Sequence, residues 1–486
     1  MQRLHRVSAV GCAGRRLVSV SWISRLGVGL LFSALVAHAA EVGSIVVPDD
    51  LVSVLHGEVE RAFKADEPGA VVIVVRDGQV LLRDTMGMAN LELAVPMRPE
   101  MVFRLGSVTK QFTAAAILLL VQQGRLSLDD DINKYLPDYP NQGQRITIAQ
   151  LLTHTAGITS YTDVPAFWRQ QRSDLSSEEL LDFFKNRPMD FVPGERWHYS
   201  NSGYAVLGAL IEKVSGQGYG EFVEQHIFQP LGMVHSSLDR TDRIIAGRVP
   251  GYKKVGSSFV NADYMSMTLP YAAGALLSTV DDLALWDAAL YTDRLVSQDL
   301  LQRSWLPAQL RDGRDTHYAF GWLTSTLDGL HLLSHAGGIN GFSSMVARVP
   351  ATHVYVAVLT NREGGAGDLA IRLAVIASGR EWHAPTLITL STTALDRLVG
   401  TYRMKDGGSV AVAQEAGSLV ADVPPYGKQA LAALSETDFL FFGAPLARLA
   451  FQVDPDGVAH SLSLMTGRGP DELAVRVPSV LSVGSH

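Results

Sequence analysis

Apolar residues recur at helical spacing through Leu51, Leu55, Val59, Ala62 and Phe63, predicting a helix behind Pro48 that Asp49 and Asp50 can cap. The β-branched run Ala70 to Val75 and the run Val80 to Leu82 follow, joined through Asp77-Gly78, and such a link between apolar runs predicts a hairpin. The stretch Phe103 to Gly124 then carries a continuous apolar core, Ala114 to Val121, ended by a glycine suited to a helix C-cap. That core is too short to span a bilayer, so it predicts a buried helix of a soluble protein.

From Leu126 to about Asp239 the pattern is mostly helical, broken by proline and glycine loops. One helix ends in Leu151 to Gly157. Another starts near Asn201, with Tyr204, Leu207, Ile211 and Val214 on one face and Gly216 as its stop. Tyr161, Phe167 and Trp168, in a loop between them, either line a pocket mouth or pack in a core. Ser278 to Asp282 offers overlapping capping boxes ahead of Leu283 to Leu290. Past Leu332 the period becomes two, with strands at Phe342 to Val349 and Val354 to Leu359, and Ser334 to Gly338 joining a preceding strand to them. Strands from both ends of this segment with helices inserted between them make an α+β design. Residues 381–393 read as a linker. Beyond it lie short alternating runs at Ser409 to Val412, Ser418 to Val423, Phe439 to Phe442, Leu449 to Val453, Ser461 to Met465 and Ala474 to Val477, which predict a small antiparallel barrel or sandwich over 394–486.

The chain has 486 residues, 47% apolar and 19% charged, which excludes wholesale disorder and suits two domains. Its start differs from the rest. Arg3, Arg6, Arg15, Arg16 and Arg25 precede the apolar run Leu26 to Ala37, and Ala37-His38-Ala39 forms a small-x-small site. Residues 1–39 therefore read as a secretory signal, against the alternative of a retained anchor that Arg25 interrupts. Export to the periplasm or medium is the corresponding expectation, with no stable membrane span after cleavage. The single Cys12 lies in that segment, so the mature chain would have no disulfide, thiol nucleophile or cysteine-based zinc site, and nothing calls for a metal or cofactor. Loss of the five arginines takes the formal net charge from −8 to −13, which argues against nucleic acid as a partner and leaves a small molecule or peptide.

Three motifs carry chemistry. Ser107-Val108-Thr109-Lys110 is the one S-x-x-K in the chain. Residues three apart share a helix face, so the lysine amine can reach the serine hydroxyl and assist removal of its proton. Tyr199-Ser200-Asn201 places a phenol and an amide at a helix start, and His335-Ala336-Gly337-Gly338 places backbone amides at a strand edge. Taken singly, each has a plainer reading: a capped surface turn, a helix cap with a packed tyrosine, and a histidine at an ordinary strand end. There is no G-x-S-x-G, no H-E-x-x-H and no phosphate-binding loop.

In this order, S-x-x-K, Y-x-N and H-x-G resemble the active-site signature of the penicillin-recognising serine hydrolases, the group of class C β-lactamases, D-alanyl-D-alanine carboxypeptidases, D-aminopeptidases and related esterases. The stretches LLTHTAGI, PGERWHYSNSGYAVLGALIEKVSG, PLGM, AAGALLSTVDDLALW, HAGGINGFSS and VLTN are similar to family stretches, and Leu398 to Tyr402 is similar to the start of β-barrel domains that follow this catalytic domain in some relatives. The resemblance implies a β-lactamase/transpeptidase-like domain over 48–380, an antiparallel sheet flanked by helices plus a helical subdomain, ahead of the small β domain. It implies an acyl-enzyme hydrolase acting on an ester, a D-amino-acid peptide or a β-lactam, or alternatively a slow-acylating sensor or non-catalytic scaffold.

By the same resemblance Ser107 is the nucleophile, Lys110 and Tyr199 share the acid and base roles, Asn201 orients the substrate carbonyl, and the backbone N–H groups of Ser107 and Gly338 form an oxyanion hole beside Gly337. His335 stands where many relatives carry lysine. A histidine is mostly neutral at pH 7, so the swap favours an esterase or D-peptidase over an efficient β-lactamase. It also predicts that carboxylate-bearing substrates are turned over better near about pH 5.5 than near about pH 8.

Overall fold

The computed structural model describes residues 49–477, apart from 406, 424–426, 442–443 and 467–468. The expected signal segment 1–39, with Cys12, lies outside the described residues.

Helix α1 (Asp49–Ala62) opens the described chain. Strands β1 (Ala70–Arg76) and β2 (Gln79–Met86) follow as the expected hairpin. Asp77 and Gly78 both take positive φ, 50° and 75°, the conformation that matches the twist of the flanking strands. Next come the buried helix α2 (Thr109–Gln122), helix α3 (Asn201–Ser215) and helix α4 (Val280–Ala289). Gly124 stands two residues past α2 at φ 69°. Its N–H bonds Val121 O (2.9 Å), and the N–H of Arg125 bonds Leu120 O (2.9 Å), which satisfies the last carbonyls of the helix.

Strands β3 (Leu323–Leu327), β4 (Leu330–Ile339), β5 (Phe342–Val349) and β6 (Val354–Thr360) complete the sheet, and α5 (Ala366–Ala377) covers it. The sheet is antiparallel, in the order β3-β4-β5-β6-β1-β2. The segment Ser334 to Gly338, expected to join two strands, lies inside β4 instead. The chain turns after it, at Asn340-Gly341, where Gly341 takes φ 78°.

The central strands are buried on both faces, hence their unbroken apolar runs. On β6, Val354, Val356 and Val358 pack with α1 and α5, while Tyr355, Ala357 and Leu359 face the core that holds α2, α3 and α4. The nucleophile-bearing helix is thus clamped between the sheet and the helical part of the fold.

Past a stretch without regular structure and a short helix (Thr392–Asp396, capped by Ser391), eight strands follow. They are β7 (Gly400–Met404), β8 (Ser409–Glu415), β9 (Ser418–Val423), β10 (Gly427–Ala433), β11 (Asp438–Phe441), β12 (Ala444–Val453), β13 (Ala459–Met465) and β14 (Glu472–Arg476). Each pairs with the next, and β7 pairs with β14 through Tyr402 and Arg476, so the barrel closes and leaves no open edge. Tyr402, Leu419, Phe439, Leu449, Phe451 and Leu462 are among the side chains that fill it.

Candidate active site

Ser107 sits on one 3-10 turn, Gly106–Val108, that runs straight into α2. Two features force the chain into this turn. Leu105 N–H bonds Leu276 O (2.9 Å), tying the turn to a small sheet formed by Phe103–Arg104, Leu276–Ser278 and Ser237–Leu238. Gly106 takes φ 53°, and a Cβ there would lie 2.9 Å from Gly338 N. Only glycine meets both conditions, and the serine turn is thereby pressed against the edge of β4.

Lys110 lies on the first turn of α2 and is fully buried. Its Nζ donates to Asn201 Oδ1 (2.8 Å), Ala273 O (2.9 Å) and Ser107 Oγ (3.3 Å). Three acceptors match the three donors of an ammonium group. The same Nζ lies 4.8 Å from the centroid of the Tyr199 ring and 5.3 Å from that of Tyr204, where the aromatic faces favour a cation.

Asn201 is the first residue of α3, and Ser200 caps that helix by accepting from Gly203 N–H. Loop 154–162 fixes both positions. Ser200 N–H donates to His154 Nδ1 (3.1 Å), Ser200 Oγ donates to Ile158 O (2.8 Å), Asn201 N–H donates to Ser160 Oγ (3.1 Å), and Asn201 Nδ2 donates to Thr162 Oγ1 (3.2 Å). His154 holds an unusual backbone at φ 59° and stacks on Tyr199 with centroids 4.2 Å apart. Burial, reinforced by the Lys110 cation, pushes its pKa well below the ordinary histidine value, so it acts as a neutral acceptor.

On β4, Gly337 packs so closely that a Cβ would fall 2.0 Å from Leu105 O, whereas a Cβ on Gly338 would meet nothing within 4 Å. Gly338 therefore faces open space, beside Ser107. His335 does not. Its ring is buried, Nδ1 donates to Ala336 O (2.7 Å), and Nε2 shares a hydrogen bond with Tyr318 Oη (2.9 Å). The ring belongs to an aromatic cluster with Tyr199, Tyr318, His154 and Trp197. The acid-favoured turnover expected of carboxylate substrates needs a ring that reaches the cleft, and His335 is not among the residues that line it.

A cleft of about 380 Å³ opens over Ser107. Asn201, Ala273, Gly338 and Phe342 are among the residues that line it, as are Tyr161, Phe167 and Trp168; of these three, Tyr161 and Phe167 are also buried in the core and Trp168 is exposed. Ser107, Lys110, Tyr199, Asn201 and Gly338 are thus brought together, with Gly337 packed beneath the serine turn. His154 and Tyr318 were not singled out by the sequence motifs, although His154 lies in the LLTHTAGI stretch. Among the described residues, no group of three or more His, Cys, Asp or Glu is placed to hold a metal ion.

The model of the Beta-lactamase family matches residues 56–381. Penicillin-binding protein 4* of Bacillus subtilis (strain 168) is 30% identical over 432 residues, covering 83% of this chain and 94% of that protein. Among solved structures, the octameric penicillin-binding protein homologue from Pyrococcus abyssi aligns with a TM-score of 0.61 at 25% identity, over 87% of this chain and 99% of that one. A D-stereospecific amidohydrolase from Streptomyces sp. aligns with a TM-score of 0.57 at 28% identity, over 66% of this chain and 98% of that one.

Proposed function

The chain belongs to the Beta-lactamase family, whose members among its relatives are serine hydrolases of the β-lactamase/transpeptidase fold, and we propose that it cleaves an ester or amide through an acyl-enzyme formed on Ser107. The observation that carries this reading is the buried Lys110, whose amine reaches Ser107 Oγ (3.3 Å) and Asn201 Oδ1 (2.8 Å) together. Ser107 Oγ attacks the substrate carbonyl and its proton passes to the pair Lys110 and Tyr199. In this pair Tyr199 is the acceptor, in its phenolate form, which the Lys110 cation 4.8 Å from its ring stabilises; taking up the serine proton makes it the neutral phenol. Asn201 orients the substrate. The N–H groups of Ser107 and Gly338 stabilise the oxyanion, an effect of roughly 2.7–4 kcal/mol per donor. The same proton, returned to the leaving group, releases an alcohol or amine, and water then attacks the acyl-serine.

Among substrates, the displaced His335 and the similarity to an amidohydrolase support small esters or D-amino-acid amides over β-lactams. We also propose that residues 1–39 direct export and are cleaved after Ala39, leaving a periplasmic or secreted enzyme. Among the described residues no helix is long and apolar enough to cross a membrane.

The deciding experiment treats the protein with a fluorophosphonate and a fluorescent penicillin, with Ser107→Ala as control, beside a rate panel of a short-chain nitrophenyl ester, nitrocefin and a D-alanyl peptide. Turnover that disappears in Ser107→Ala is expected. A persistent penicillin adduct without turnover indicates a sensor, and the absence of any adduct indicates a scaffold; either result overturns the reading. N-terminal sequencing of the protein recovered outside the cytoplasm tests export.

A further inference from the structure

The cleft over Ser107 has an apolar wall built from Phe167, Trp168, Met265 and Phe342. Among its lining residues one carries a formal charge, Glu363. This residue lies just past β6. Its backbone is held by a bond from its N–H to Tyr252 O (3.3 Å), and its Oε1 accepts a long bond from Gly341 N–H (3.4 Å). Arg362 is paired with Glu67 (3.3 Å) and Lys253 with Asp263 (2.5 Å), and Lys254 lies over the Phe259 ring at 5.5 Å. Glu363 itself forms no ion pair among the described residues. Two other cations could have offset it. Lys110 is sealed beneath the serine by three acceptors, and His335 is bonded to Tyr318. The cleft therefore offers one carboxylate without an ion pair among the described residues, together with an apolar wall.

We propose that Glu363 is a specificity-determining residue that receives the ammonium group of the substrate, so that the site takes amides or esters of apolar amino acids bearing a free amine and discriminates against substrates bearing a free carboxylate. This rests on the serine-hydrolase reading above. Glu363 is exposed at the cleft, where a substrate ammonium forms a charge-assisted hydrogen bond with its carboxylate and a substrate carboxylate is repelled by it. The wall receives the apolar side chain.

The test measures how well three probes protect Ser107 from a fluorophosphonate: D-phenylalaninamide, its N-acetyl form and its N-succinyl form. It is run near pH 6.5, below the roughly 7.7–8.0 pKa of an α-amine. In the wild type, the free amine is expected to protect about tenfold better than the N-acetyl form. Glu363→Gln should erase most of that ratio, and Glu363→Lys should turn the preference towards the N-succinyl probe. An amine-to-acetyl ratio equal in wild type and Glu363→Gln overturns the proposal while leaving the hydrolase reading standing. Failure of the fluorophosphonate to label wild-type Ser107 overturns the hydrolase reading, and this proposal with it.

Discussion

The Tyr318 hydroxyl and His335 Nε2 share a hydrogen bond of 2.9 Å. Because His335 Nδ1 bonds a carbonyl, that of Ala336 (2.7 Å), the proton of a neutral ring sits on Nδ1 and Nε2 is the acceptor. Both ring nitrogens thus have partners, and the ring faces the aromatic cluster.

From this follows a pH profile different from the one the motif alone suggests. The kcat/KM of a carboxylate-bearing ester relative to a neutral ester should stay flat between about pH 5.5 and about pH 8, the range in which an unperturbed histidine titrates. A rise on the acid side would show that His335 does reach the substrate. Tyr318→Phe leaves Nε2 without this partner and should lower unfolding stability by about 1–3 kcal/mol in urea titration.

Lys110 separates the proposed site from a Ser-His-Asp arrangement built on His335. Lys110→Met keeps most of the buried apolar stem and removes the amine that joins Ser107, Asn201 and Ala273. A fall in kcat/KM of about 10²–10⁴-fold is expected, the usual worth of a positioned acid or base. His335→Gln should lose much less. If the two variants trade places in steady-state assays, the proton route assigned to Lys110 and Tyr199 is wrong.

What could be read in advance was local. The hairpin at Asp77-Gly78 follows from two residues that tolerate positive φ, and α2 from an apolar run ended by Gly124, so neither needs knowledge of the rest of the chain. The S-x-x-K motif was legible for the same reason, since three residues of helix bring its two ends together. Strand β10 was not. Its sequence, Gly427 to Ala433, lacks β-branched and aromatic residues, and it is a strand because β9 and β11 pair with it on both sides. The hairpin at Tyr252–Val255 and Ser258–Asn261 was also missed, being partly polar and mostly exposed. His154, Tyr318 and Glu363 escaped notice because their importance lies in contacts between segments 17 to 164 residues apart or more, such as those of Tyr318 with His335 and His154.

Asp287 and Arg348 give a stability prediction. Arg348 is wholly buried, its Nε 2.9 Å from Asp287 Oδ1, and its guanidinium lies over Tyr291 and Trp305 at 4.6 and 4.7 Å. Burial outweighs the Arg348 cation and pushes Asp287 up to about 6 from an ordinary 3.8. A folded-state value above the unfolded one stabilises the fold fully below the unfolded pKa, and this contribution is lost as pH rises through about 6. Each unit corresponds to about 1.4 kcal/mol, so the change from acid to neutral pH is at most about 3 kcal/mol. Asp287→Asn should flatten the stability profile between about pH 4 and about pH 7. Urea midpoints of wild type and variant that run parallel over this range would refute the shift.

The barrel reaches the site through Gly469. This residue, between β13 and β14, takes φ 77°, is buried, and would place a Cβ 2.4 Å from the Trp197 ring. Trp197 is two residues before Tyr199, and its ring lies 6.5 Å from that of Tyr199 and 6.1 Å from that of His154. A side chain at 469 must therefore displace the indole, and with it the packing that orients the phenol. Gly469→Val is expected to lower kcat by about tenfold or more, the scale seen when a reacting group shifts by a fraction of an ångström, and to change the intrinsic tryptophan fluorescence. Fluorophosphonate labelling of Ser107 should persist, because the Gly106 turn and Lys110 are held by bonds to Leu276, Asn201 and Ala273. A variant with altered fluorescence and unchanged kcat would show that the barrel covers Trp197 without bearing on the chemistry.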